Sequence, residues 1–150
     1  MKSRIAIVML AGVLAAAMGL PGAQAQQKPT LVGAWTLVST SNTDAKGAKI
    51  EPFGPHPLGA YMFDASGHFT QMLMSSDPSK PRSIAAYGTY SVTDGDKTLV
   101  LHIVGSAAPK FDGKDLKRQI TLLTEDELRI SQSTPQIGGG HVDAVWKRAK

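Results

Sequence analysis

The stretch Leu31-Val32-Gly33-Ala34-Trp35-Thr36-Leu37-Val38-Ser39 decides the fold. A glycine two residues before a tryptophan, leading into a run rich in Val and Thr, reads as the first strand of a small β-barrel. The chain beyond it supplies strand after strand able to pair around that start. Alternation predicts strands over 32–40, 49–51, 59–63, 68–74, 86–92, 97–104, 115–123, 128–133 and 142–147. Compact turn signals separate several of them: Asn42 to Gly47, Asp64-Ala65-Ser66-Gly67, Thr93-Asp94-Gly95-Asp96 and Thr124-Glu125-Asp126-Glu127. Pro52-Phe53-Gly54-Pro55-His56-Pro57 cannot donate to a ladder at its prolines, so it reads as a loop. So do residues 75–83, the connection Gly105 to Lys114, and the glycine-rich Pro135 to Gly140. No part of the chain beyond residue 25 sustains a helical apolar period. The expected fold is all-β: an antiparallel up-and-down barrel of about eight strands, which leaves no sheet edge exposed.

The N-terminus reads as an export signal. Lys2 and Arg4 precede an uncharged apolar run from Ile5 to Leu20, Pro21-Gly22 breaks it, and Ala23-Gln24-Ala25 places small residues at a cleavage point. The run falls short of the ~18–20 residues of a membrane-spanning helix. The expectation is a cleaved signal peptide over 1–25 and one barrel domain over 26–150, periplasmic or secreted, with no membrane span in the mature protein. The chain has no cysteine, so lipid attachment through a thiol is excluded and packing replaces disulfides. Removing Lys2 and Arg4 takes the 16 basic side chains to 14 against 12 acidic ones, a net charge of +2. That balance, without a basic run, disfavours nucleic acid as a partner.

Strand alternation then assigns faces. Leu116, Arg118, Ile120 and Leu122 share one face of their strand, with Lys117, Gln119 and Thr121 on the other, so Arg118 is expected to point inward. Burying a guanidinium alone is costly, so it needs solvent, a partner or a ligand. A symmetric hairpin across Gly105 to Lys114 places His102 opposite Arg118 on the same face. Such a pair of cationic-capable groups suits an anion, most simply a carboxylate or phenolate. Tyr90 shares a face with Gly88 and Val92; Met72 and Met74 share one with His68 and Thr70, and an interior lined this way makes an adaptable apolar pocket. Four scattered histidines (His56, His68, His102, His141) have no ligand spacing, so no metal is expected. No nucleophile or phosphate-loop motif is present, and no cofactor is expected.

The ordered pieces Gly33-x-Trp35, Pro52-Phe53-Gly54, Pro57-x-Gly59, Gly67-His68, Tyr87-Gly88-Thr89-Tyr90, Asp94-Gly95-Asp96, His102, Pro109, Gly113, Arg118 and Val145-Trp146-Lys147-Arg148 resemble the bacterial and fungal lipocalin-like domain family, within the calycin barrels. The resemblance implies a barrel whose interior holds a small, largely apolar molecule. It also implies that Trp35 closes the narrow end beneath a basic side chain, Arg148 or Lys147. The chain departs from the family pattern at Leu101-His102, Phe111, Phe63 and Gln71-Met72.

The candidate ligand-contacting residues are His102, Arg118, Tyr90, Phe63, Met72 and His68; Gly33, Trp35, Trp146 and Arg148 are the candidates for barrel closure. The leading expectation is an exported lipocalin-like protein that binds a small apolar or amphipathic molecule, in one form anionic. The alternatives are a structural or partner-binding envelope protein with a filled barrel, and a barrel isomerase or cyclase using His102 with Tyr90 or Arg118. An interior pocket of roughly 300 Å³ or more separates the first from the second.

Overall fold

A computed structural model describes residues 29–79, 82–133 and 139–150. The strands are β1 (Gly33–Asp44), β2 (Lys49–Ile50), β3 (Leu58–Phe63), β4 (His68–Met74), β5 (Ser83–Thr93), β6 (Thr98–Ser106), β7 (Asp115–Leu123), β8 (Glu127–Gln132) and β9 (Gly139–Arg148). A 3₁₀ turn, Pro109–Phe111, interrupts the β6–β7 connection. All pairings are antiparallel, and β1 pairs with both β3 and β9, so eight strands close into an up-and-down barrel with β2 as a short appendage on β1. The expected signal peptide and residues 135–138 of the expected Pro135 to Gly140 loop lie outside the described residues.

Period-two alternation builds the core. β4 reads outward, inward, outward from His68 to Met74, and Phe69, Gln71 and Leu73 are its buried set. Trp35, Tyr61, Leu99, Leu101, Ile103 and Leu128 are essentially fully buried. Each such side chain contributes about 1.5–3 kcal/mol of transfer free energy.

Three boundaries differ from the sequence reading. β1 runs through Asn42-Thr43-Asp44, expected as a turn, because it is paired on both sides there, Asn42 with Ile50 and Val142. β5 starts at Ser83 against Met74, three residues earlier than expected. Gly139 and Gly140 belong to β9 rather than to a loop. At the bulge beside Thr43 and Asp44 the two backbones approach so closely that a Cβ on Gly140 would meet both carbonyl oxygens.

The register of β6 against β7 also differs. His102 pairs with Asp115 and Leu99 with Arg118, three positions from the symmetric placement. The connection is tied short, with Ile103 N–H donating to Lys114 O (3.0 Å) and Gly113 N–H to Ile103 O (2.8 Å). An odd shift exchanges faces. Arg118 points inward as expected, and His102 points outward.

Candidate functional site

Arg148 and Trp35 close one end of the barrel. The Arg148 guanidinium lies over the Trp35 indole, 4.2 Å from the ring centroid. It donates to Val32 O (2.7 Å), Thr30 O (2.9 Å) and Glu125 O, binding the entry of β1 to the β7–β8 turn. The indole N–H donates to Leu31 O at 2.8 Å. Gly33, at φ +130°, leaves room for this arginine; a Cβ there would sit 2.5 Å from Nη1. Lys147 is exposed, so Arg148 is the covering cation. Trp146 stands apart from this plug. It is buried deeper in the interior, edge-on to Tyr61 at 4.7 Å.

Arg118 crosses the interior. Nη1 donates to the Tyr61 hydroxyl and Nη2 to Gln71 Oε1 at 3.1 Å. Its Cζ lies 5.6 Å from the Tyr61 ring centroid. In the closed strand order, β7 and β3 are four strands apart in either direction, so this side chain spans the barrel to its opposite wall. It is 7% exposed, and no carboxylate of the described residues pairs with it. Burial without a counter-charge pulls its pKa down to about 10.

Beside Arg118 lies a cavity with about 60 Å³ open to the centres of water-sized molecules. Its polar lining includes Asn42, Gln71, Arg118 and Gln132, and Leu73, Ile84, Ile130 and Val142 are among the apolar walls. Phe53, buried at 4%, reaches it from the Pro-rich loop. Among the described residues, three buried polar atoms have no protein partner: Asn42 Oδ1, Arg118 Nε and Trp146 Nε1. All three belong to residues lining this one cavity.

The other candidate ligand residues lie elsewhere. His102 is half-exposed, with Nδ1 2.8 Å from Asp115 Oδ1, so the expected His102–Arg118 anion pair is not formed. Met72 is 45% exposed on an outer surface shared with Met62 and Met74; the inward face of β4 is the one opposite to that read from the sequence. Phe63 packs in the core between Tyr61 (5.0 Å) and Tyr90 (4.9 Å). Tyr90 is half-buried and donates to Asp64 O at 2.9 Å; burial, then the nearby Asp64 carboxylate, raises its pKa above 10.0. It borders an open groove of about 660 Å³ at the plugged end, beside Leu31 and Ile120.

His68 sits exposed in the β3–β4 turn, its Nδ1 3.0 Å from Ser66 Oγ and 3.4 Å from Asp64 Oδ2. Acid and hydroxyl thus share one ring nitrogen, whereas a catalytic relay uses opposite nitrogens. The cluster stabilises the turn. No group of three metal-ligating side chains occurs among the described residues.

Asn42, Tyr61 and Gln71 were missed as site residues. Tyr61 shares its face with Phe63, two positions along β3, and that parity was the available signal.

These features define the class: a closed antiparallel β-barrel compatible with a calycin-like fold, plugged at one end and carrying a buried arginine across its interior. Residues 30–150 match the model of DUF4488, a domain of unknown function, and the chain belongs to that family. The family description names no lipocalin. No curated protein matches the chain.

Proposed function

We propose that this chain is an exported, lipocalin-like binding protein whose barrel holds a small amphipathic molecule by an anionic group. One observation carries the reading: Arg118 is buried across the interior and lines a cavity, with no carboxylate of the described residues beside it. A carboxylate supplied from outside would neutralise the guanidinium, while the apolar wall would take the rest of the ligand. Export rests on the N-terminal pattern of Lys2, Arg4 and the apolar run to Leu20.

The test is native mass spectrometry of the protein purified from its own host, with and without Arg118→Met. A retained small acid that the variant loses supports the reading; an empty barrel that takes up no carboxylate sinks it. The same preparation reports export, since the processed chain should begin at Gln26.

A second reading is favoured by size. At about 60 Å³ the cavity is far below the roughly 300 Å³ of sites for drug-sized ligands, so a filled structural barrel is the competing account. The two diverge on whether any small acid raises the unfolding temperature in an Arg118-dependent way.

A further inference from the structure

We propose that the outer face of β3, β4 and β5 is an interface on which two copies of this chain associate. The inference is independent of what the interior holds.

Register gathers the exposed apolar side chains onto this face. Leu58 pairs with Met74 in one ladder row, Met62 is joined to Tyr87 through Thr70 in another, and Met72 holds the row between. Val38 extends the face onto β1, two places beyond Thr36, which pairs with Ala60. Val104 extends it onto β6, next to Gly105, the partner of Tyr87. The seven large apolar residues are each 40–57% exposed. Residues of this size have roughly 150–200 Å² each in full, so seven half-exposed ones present about 600 Å². That reaches the top of the ~300–600 Å² found for the largest patch on a monomer. It also supplies most of the ~800 Å² that each partner gives to a standard interface. The Tyr87 ring lies over Gly105, where an added Cβ would meet Cε1 at 2.6 Å, so this aromatic is already ordered for contact. The three methionines are adaptable enough to mesh with a second convex surface.

Charge selects the occupant. Among the described residues, no Asp, Glu, Lys or Arg stands on β3, β4 or β5. On the other side of the barrel, β7, β8 and β9 expose Asp115, Lys117, Arg129, Asp143 and Lys147. A two-fold interface sets a patch against itself, so a charge near its axis meets its like. The neutral half of the barrel satisfies that condition, and the charged half does not. An anionic lipid surface calls instead for clustered Lys and Arg around the apolar face. The turn and connection bounding β4 hold Asp64 and Asp77 against Lys80 and Arg82, which balance. A second copy of the chain, equally neutral here, is the partner this face fits.

Sedimentation velocity of the mature chain across the micromolar range tests this. The expected result is a monomer–dimer equilibrium that Met72→Lys weakens about tenfold or more, while Lys117→Glu on the charged half leaves it unchanged. Both positions are exposed, so both variants should keep the unfolding temperature of the unsubstituted chain. Leu58→Lys, one row away, reads the same interface should Met72→Lys fail to fold. A monomer throughout the range overturns the proposal. So does a dimer that Met72→Lys and Leu58→Lys leave intact, or one that Lys117→Glu weakens equally. Binding to phosphatidylcholine vesicles that Met72→Lys abolishes, with no dimer in solution, assigns the face to lipid and overturns it as well.

Discussion

Arg118 Nη2 donates to Gln71 Oε1 at 3.1 Å across the interior, so a guanidinium meets a neutral amide where a carboxylate would be the isosteric choice. The hydrogen bond orients the charge without cancelling it. An arginine held this way keeps its uncompensated charge inside the barrel.

Gln71→Glu would supply the missing counter-charge. The expected outcome is a gain of about 1–2 kcal/mol in unfolding free energy, from converting a neutral acceptor into a charged one. Carboxylate affinity should fall more than tenfold, because the internal carboxylate competes. Urea unfolding and calorimetry check the two arms. Unchanged affinity would mean that anions do not bind at Arg118.

Arg148 is a fastener. Arg148→Ala removes three carbonyl acceptors' partner and the cover over Trp35, and should cost about 2–4 kcal/mol in urea unfolding. Arg148→Lys should recover little, since an ammonium cannot fork to Val32, Thr30 and Glu125 together. A cost below 1 kcal/mol would show that the plug is held by other contacts.

Asp64 gives a pH signature. The His68 backbone N–H has the largest effect and favours the charged form; desolvation, next in size, opposes it, and the Ser66 hydroxyl adds to the lowering, so the pKa falls below 3.8. The contribution to stability is present above the unfolded-state value near 3.8. It is lost as pH falls through the lower folded value, where the folded carboxylate also protonates. NMR titration of the Asp64 carboxyl should find a midpoint below 3.8, and Ser66→Ala should move it upward. A midpoint at or above 3.8 contradicts the turn geometry.

The barrel was legible because Gly33-x-Trp35 and period-two strands with Gly/Asp turns leave few other solutions. The inward position of Arg118 was legible too, from unambiguous neighbours Leu116 and Ile120. Other parts of the site were obscured by specific physical features. The β4 face was ambiguous since Met72 and Met74 outside are as apolar as Phe69 and Leu73 inside. Asn42 resembled a turn residue, and only pairing on both sides keeps it in a strand. The β6–β7 register depends on the short tie around Pro109–Phe111, whose hydrogen bonds leave no mark in composition.

The most direct test of the central claim is thermal unfolding of Arg118→Met beside the unsubstituted chain, each with and without 10 mM butyrate. Desolvation lowers the Arg118 pKa from its ordinary value to about 10, which corresponds to about 3 kcal/mol against keeping it charged in the fold. That effect is constant below pH 10, where both folded and unfolded states are protonated, and is relieved only above it. Methionine removes it and leaves the Tyr61 hydroxyl and Gln71 amide unpaired, at about 1–3 kcal/mol. The account predicts that Arg118→Met unfolds at the same temperature or higher, and that butyrate raises the unfolding temperature of the unsubstituted chain alone. A variant that unfolds more than about 10 °C lower, with butyrate stabilising neither protein, would contradict it and make Arg118 a structural cross-brace of a filled barrel.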